Sequence, residues 1–152
     1  MEPKKTYKAY QFKNAIEWKS ARKGIMTVPE HAPVEVGSPP EFKGSADVWC
    51  PEEMLVGAVN TCIMLTFLAY AQNRKLELVS YRSRAEGALE HKDGKYRITH
   101  IALQPVIGLK SQEHRPLAEQ ILKNAKEDCF ISNSVTATVE VTAQFGAEST
   151  ET

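Results

Sequence analysis

Three segments of the chain alternate hydrophobic and polar residues, which is the period of a β-strand with one buried face. The strictest alternation covers 135–145, where valine, alanine and phenylalanine occupy every second position between threonine, glutamate and glutamine. The segment 10–19 alternates in the same way, with Tyr10, Phe12, Ile16 and Trp18 on one parity, and 79–89 follows more loosely. The pattern therefore predicts strands at the beginning, middle and end of the chain.

The first strand is predicted to turn back on itself within 20–24, where Gly24 supplies the positive φ that other residues resist. The returning strand then covers 25–28. Four prolines and two glycines lie between residues 29 and 47, so most of that segment is predicted to be loop. Only the valines at 34 and 36 permit a short strand there.

A second hairpin is predicted at 92–95, because Asp93-Gly94 between two extended segments is a strong signal for a tight turn. Its return strand covers 96–103 and is expected to end near Pro105, since proline cannot donate to a sheet.

The longest apolar run is 55–70, and the signals around it predict a helix from Pro51 to about Asn73. Two glutamates follow Pro51 and complement the positive end of the helix dipole. A membrane span needs about 20 apolar residues, whereas this run is shorter and contains Asn60 and two threonines. We therefore predict the buried central helix of a core or an interface.

A second, amphipathic helix is predicted between Ser111 and Cys129, because one face gathers the apolar residues. That face carries Leu117, Ile121, Leu122, Ala125 and Cys129. Strands, helix, hairpin, helix and strand give an α+β fold. The first helix is apolar on all sides and needs more cover than one small sheet and one helix provide, so we expect a homodimer that buries it.

Composition fits one soluble domain over residues 1–152, with a core of about 5–145 and a polar tail, 146–152. The chain has 152 residues, 42% of them hydrophobic and 25% charged, and its formal net charge is zero. Neither a nucleic acid nor an anionic membrane is therefore expected as partner. Three cysteines do not make a disulfide scaffold, and the N-terminus lacks the apolar region of a signal peptide, so we expect a cytoplasmic protein.

Few familiar chemical motifs are present, and we expect no cofactor and no metal. The glycines form no phosphate-binding loop, and the four histidines and three cysteines have no metal-ligand spacing. Cys62, in the apolar helix, and Cys129, on the core side of the amphipathic helix, both point inward and could meet. Burial alone would make them inert, because an apolar site raises the pKa of a thiol.

Two cysteine motifs resemble those of the OsmC/Ohr family of peroxide-resistance proteins. PEFKGSADVWCPEEMLVGAVNTC, residues 40–62, resembles the family's helix start with its reactive cysteine, and AKEDCFISNSV, residues 125–135, resembles its second cysteine motif. Ala21-Arg22-Lys23-Gly24 lies where the family has its arginine turn. The resemblance implies an OsmC-like fold, with antiparallel sheets around the two helices, and an intertwined homodimer with sites at the subunit interface.

The resemblance also implies a two-cysteine thiol peroxidase that reduces organic hydroperoxides in oxidative stress defence. Cys62 would be the peroxidatic cysteine and Cys129 the resolving one, joined as an intrasubunit disulfide. Arg22 would be the cation and Glu52 its carboxylate partner. A dithiol, such as a lipoylated protein, would be the reductant. The alternative is a non-enzymatic OsmC-like dimer that binds an apolar ligand or a partner protein.

Helix geometry restricts Glu52, which stands ten residues before Cys62 and thus about 15 Å away along a straight helix. We therefore expect Glu52 to act at the site of the partner subunit. Two residues depart from the family pattern: Phe130 replaces the usual proline after the second cysteine, and Cys50 replaces the Asn or Ser before the helix proline. Cys50 is expected to be an exposed thiol in a loop or at the helix cap.

Overall fold

The computed structural model describes residues 1–146, so most of the predicted polar tail lies outside the described residues. The chain divides into two compact units, Met1–Pro51 and Glu52–Thr152. Each is described by itself. The prediction of a single domain over 1–152 stays a prediction.

The N-terminal unit contains an antiparallel sheet of three strands, β1 (Ala15–Ser20), β2 (Lys23–Thr27) and β3 (Val34–Gly37), in that order. This confirms the first hairpin and the short strand at the valines. The turn differs from the prediction, because Ala21 has the positive φ, 47°, while Gly24 lies within β2 opposite Trp18. Gly24 is required for space: a Cβ there would lie 2.8 Å from the carbonyl oxygen of Glu17.

Strand β1 is exposed on both faces, which corrects the expectation of one buried face. Ile16 and Trp18 retain 62% and 75% of their accessible surface. The strand also begins later than predicted, since residues 10–14 form no regular structure. The alternation therefore marks apolar residues that remain exposed among residues 1–146.

Helix α1 (Pro51–Asn73) has the predicted limits. It is long and apolar enough to cross a membrane by length and composition, but the central helix of a core passes the same test. Its buried stripe recurs every four residues and consists of Val59, Ile63, Phe67 and Ala71. Only 22% of its most apolar 18-residue window is buried, and Leu65 remains 55% exposed. The helix is thus a core helix with a second apolar face that the described part of the chain leaves exposed.

Strands β4 (Leu78–Lys92) and β5 (Lys95–Leu109) form the predicted long hairpin. Asp93 and Gly94 have φ values of 54° and 83°, as a type I′ turn requires at its two central positions. Strand β5 continues past the predicted end near Pro105 as far as Leu109.

The C-terminal segment pairs with β5 as two short parallel strands, β6 (Thr138–Val141) and β7 (Gln144–Gly146). The predicted uninterrupted strand over 135–145 is therefore broken, although burial still alternates along it. β6 pairs with β5 as far as Leu103 and β7 resumes at Val106, so Pro105 falls in the gap. A proline is tolerated there because no ladder bond is required of it.

Helix α2 (Arg115–Asp128) follows a short 3₁₀ turn and packs its predicted apolar face inward. Buried side chains from α1, β5 and α2 form one core that also contains Cys129. The C-terminal unit is therefore the predicted α+β arrangement, with a mixed rather than purely antiparallel sheet.

Candidate functional site

Cys62 lies in the middle of α1, one position before the buried Ile63, so its side chain lies at the edge of the buried stripe and is partly exposed. Thr66, one turn later, donates its hydroxyl hydrogen to the Cys62 carbonyl oxygen at 2.8 Å, and this hydroxyl lies 4.0 Å from the Cys62 sulfur. A position at the edge of the core lets the sulfur contact buried neighbours and still be reached from outside.

Cys129 ends α2 and is fully buried. Its backbone leaves the helix with φ −64° and ψ 116°, an extended conformation. The chain then folds back: the Ser132 amide donates to the Cys129 sulfur at 3.4 Å, and the Asn133 amide donates to the Cys129 carbonyl oxygen at 3.0 Å. The turn over 129–133 therefore fixes the sulfur and satisfies the end of the helix.

The two thiols lie close enough for each to shift the pKa of the other, so the structure brings the predicted pair together. Burial would raise the pKa of the Cys62 thiol, but hydrogen bonds reverse the effect and lower that pKa below its ordinary value. The groups that lower it, largest effect first, are the Ile131 amide, the Cys129 thiol, the Thr66 hydroxyl and the Phe130 amide. The turn after α2 thus stabilises a thiolate on α1.

Cys129 has the opposite tendency. Burial raises the pKa of its thiol, and the neighbouring Cys62 raises it further, while hydrogen bonds from Ser132 partly counteract them. One sulfur is therefore prepared to ionise while the other keeps its proton. Opposite pKa shifts in two neighbouring thiols suit a nucleophilic cysteine beside a second cysteine that reacts later.

A hydrogen bond from Tyr70 connects helices α1 and α2 next to the two cysteines. The Tyr70 hydroxyl on α1 donates a hydrogen bond to the carboxylate of Asp128, the residue immediately before Cys129. That carboxylate raises the pKa of Tyr70, because it accepts the phenolic proton and would repel a phenolate. The contact links α1 directly to the end of α2 that carries Cys129.

The other two predicted site residues are placed separately. Arg22 lies in the exposed turn between β1 and β2, where its guanidinium donates to the Phe42 carbonyl oxygen at 2.6 Å. Glu52 lies in the first turn of α1, and its Oε2 is buried without a hydrogen-bond partner among residues 1–146. Both assignments stay predictions.

Cys50 differs from expectation, because it is buried, with 4% of its surface exposed, rather than an exposed thiol. Over the part of the chain that is described, no three His, Cys, Asp or Glu side chains are grouped as ligands of a metal ion.

Comparison with known proteins agrees with the geometry. Residues 44–144 match the family model described as OsmC-like protein. The chain belongs to this OsmC-like family. Cys62 and Cys129 both lie within the residues that match the family model.

Individual proteins are similar to this chain in sequence or in fold. An uncharacterized protein of Bacillus subtilis, YmaD, is 27% identical over 136 residues, covering 87% of this chain and 91% of the relative. An OsmC-like protein of unknown function from Vibrio cholerae has a TM-score of 0.81 at 24% identity, covering 89% of this chain and 99% of the other. An organic hydroperoxide resistance protein from Elizabethkingia anophelis has a TM-score of 0.73 at 16% identity, covering 94% and 100%.

Sequence reasoning missed the groups that lower the pKa of Cys62. The sequence suggested a cation, Arg22, as the cause of a low pKa at Cys62. The groups that lower this pKa are instead backbone amides, a thiol and a hydroxyl. A backbone amide has no side-chain signature. The one available signal was the residue after Cys129, since phenylalanine supplies an amide hydrogen that a proline lacks.

Proposed function

We propose that the protein is a cytoplasmic thiol peroxidase that reduces organic hydroperoxides in defence against oxidative stress. The observation that carries the proposal is the contact between the two sulfurs, with the pKa of Cys62 lowered and that of Cys129 raised. The likeness to a structure titled an organic hydroperoxide resistance protein supports the same class of substrate.

The first step is attack of the Cys62 thiolate on the peroxide. The sulfur attacks the hydroxyl oxygen of the peroxide, so an S–O bond forms as the O–O bond breaks, and the alkoxide leaves and takes up a proton to become the alcohol. The sulfur is oxidised to the sulfenic acid and the peroxide is reduced. The hydrogen bonds from the turn over 129–133 supply the ionised sulfur that this step needs.

The second step is resolution by Cys129. Its thiol attacks the sulfenic sulfur, the S–O bond breaks, and the hydroxyl group leaves as water with the thiol proton, forming a Cys62–Cys129 disulfide. An external dithiol, in this proposal one such as a lipoylated protein, then reduces the disulfide and is itself oxidised. No metal or organic cofactor takes part.

We further propose a homodimer in which Arg22 and Glu52 complete the site. The uncovered apolar residues of α1, such as Leu55 and Leu65, supply a face for a second copy. The buried oxygen of Glu52 needs a donor, and a guanidinium remains charged even in an apolar pocket. Since Glu52 cannot reach the Cys62 sulfur of its own helix, it would serve the partner subunit's site.

Stopped-flow consumption of cumene hydroperoxide by the reduced protein tests the activity. We expect rapid consumption by the wild type and by Cys50→Ser, the matched control, and loss of consumption in Cys62→Ser. Mass spectrometry of the peroxide-treated wild type should show the Cys62–Cys129 bond. If Cys62→Ser reacts as fast as the wild type, the protein is not this peroxidase, and the non-enzymatic binding function takes its place.

A mixed dimer tests the assignment of Glu52. Combining a Cys62→Ser chain with a Glu52→Ala chain puts both losses in one site and leaves the other site intact if Glu52 acts across the interface. About half of the wild-type activity is expected. A verified mixed dimer without activity would contradict the cross-subunit role.

A further inference from the structure

A polar groove lies on the outer face of the β4–β5–β6 sheet, away from the cysteines. It has a volume of about 610 Å³ and is lined by residues of β4, β5 and the segment that joins β6 to β7. The core-facing side chains of β5, such as Leu103 and Ile107, are buried at odd-numbered positions. Six of the eight lining residues are even-numbered and point the other way, because side chains alternate along a strand, and Ser83 and Pro105 complete the lining.

Two arginines dominate the groove. Arg82 and Arg84 are two residues apart on β4, so their side chains leave the same face about 7 Å apart. Both are exposed, and neither has an ion-pair partner within residues 1–146. The other polar side chains that line the groove are neutral: Gln104, Thr142 and Gln144 are among them, and no carboxylate is.

The interruption of the sheet shapes this groove. β6 ends at Val141 and β7 begins at Gln144, so the two intervening residues belong to neither strand, and Thr142 and Gln144 line the cavity. The Thr142 amide donates to the Leu103 carbonyl oxygen at 2.9 Å, which holds the joining segment against β5. The floor is therefore fixed backbone rather than a free loop.

We propose that this groove binds a small phosphate-bearing anion, either free diphosphate or the diphosphate of an organic ester. A guanidinium can donate two parallel hydrogen bonds to the oxygens of one phosphate group. Two adjacent guanidinium groups can therefore bind a ligand that carries two phosphates. The volume lies within the range of about 300–1,000 Å³ found for small-molecule sites. No aromatic side chain lines the groove, so recognition rests on the phosphates rather than on a stacked base.

The test is NMR titration of the full-length protein with pyrophosphate, adenosine diphosphate and adenosine in separate arms. We expect saturable shifts of the amide signals of 82–84, 104–106 and 142–144 with both phosphates and none with adenosine. Equal binding of the two phosphates supports recognition of the diphosphate alone, and tighter binding of the nucleotide assigns the organic ester. Shifts with adenosine, or shifts that do not saturate, would overturn the proposal.

Charge-matched variants separate the groove from general surface charge. Arg82→Ala/Arg84→Ala should weaken phosphate binding by about tenfold or more. The double lysine variant, Arg82→Lys/Arg84→Lys, keeps the charge but loses the planar donor geometry, so its affinity should lie between those of the alanine variant and the wild type. Lys92→Ala/Lys95→Ala removes two charges from the tip of the same hairpin and should bind as the wild type does. Equal weakening in both alanine pairs would contradict the proposed groove. Peroxide consumption should be unchanged throughout, so this test is independent of the proposed peroxidase.

Discussion

Substitution of Phe130 by proline tests the origin of the low pKa of Cys62. Phe130 donates one of the hydrogen bonds that lower this pKa, and proline has no amide hydrogen. Cys129, the preceding residue, is already extended, with φ −64° and ψ 116°, as a residue before proline must be. The substitution therefore removes a donor, and the preceding residue already has the conformation that proline requires of it.

The expected change follows from the strength of the lost bond. A hydrogen bond to a charged group contributes about 1.5–3 kcal/mol, and about 1.4 kcal/mol corresponds to one unit of pKa. Phe130 is the weakest of the donors named, and the Cys62 sulfur is only partly buried, so water replaces part of the loss. We expect Phe130→Pro to raise the pKa of Cys62 towards that of an ordinary thiol, and so to lower the rate of Cys62 alkylation at a pH below the midpoint by about threefold.

The assay is the rate of Cys62 alkylation by iodoacetamide as a function of pH, followed by mass spectrometry of the Cys62 peptide. Only the thiolate reacts, so the rate is present above the pKa and lost as the pH falls through it. In the wild type the midpoint should lie below that of an ordinary thiol, and in Phe130→Pro it should move upward.

Phe130→Ala is the matched control, because it keeps the amide hydrogen and removes only a ring that is 81% exposed. Its midpoint should equal that of the wild type. If alanine and proline raise the midpoint equally, the ring rather than the amide is responsible. If neither moves it, the Phe130 amide does not stabilise the thiolate.

Two further predictions concern tyrosines of the same unit. Tyr81→Phe should raise the free energy of unfolding by about 1–2 kcal/mol, measured by urea denaturation, because the Tyr81 hydroxyl is buried without a hydrogen-bond partner among the described residues. That burial raises the pKa of Tyr81 to about 12, so the effect should be constant across neutral pH. Tyr70→Phe removes the bond to Asp128 that fastens α2 to α1. In peroxide-treated protein, disulfide formation should slow and the sulfinic acid of Cys62 should increase, both measured by mass spectrometry.

Each of these two predictions has a result that would contradict it. A loss of stability in Tyr81→Phe would show that the hydroxyl has a hydrogen-bond partner in solution. For Tyr70, the matched control is Tyr96→Phe, because Tyr96 is an exposed tyrosine next to the turn of the β4–β5 hairpin. Equal amounts of sulfinic acid in both variants would mean that the Tyr70 bond does not position Cys129.

The sequence predicted the elements best where one local cause determines them. Proline at the first helical position and a long apolar run gave α1 its correct limits, and Asp93-Gly94 gave the second hairpin its turn. Alternation over 135–145 correctly predicted which side chains face the core, where they are partly buried. It could not predict the break at Thr142, because periodicity reports side-chain burial and not which backbone groups pair.

Other differences arise from partners that lie far along the chain. The rule that proline ends a strand failed at Pro105, because the gap between β6 and β7 lies opposite it. The cysteine pair was predictable from its motifs and helix faces. The donors around it were not, since almost any residue supplies an amide hydrogen and only the conformation of the 129–133 turn aims it at Cys62.

The sulfur–sulfur contact also accounts for the order of the proposed steps. In the resting protein, the Cys129 thiol donates to Cys62, which lowers one pKa and, through the negative charge on Cys62, raises the other. Oxidation of Cys62 to a sulfenic acid removes that charge. Burial, the largest cause of the raised pKa of Cys129, remains, but the contribution of the Cys62 charge disappears, so this pKa falls in the state in which the second nucleophile is needed. In the proposed cycle, Cys129 therefore gains reactivity only after Cys62 has been oxidised. A Cys62 variant that cannot ionise should accordingly leave Cys129 easier to alkylate than it is in the wild type.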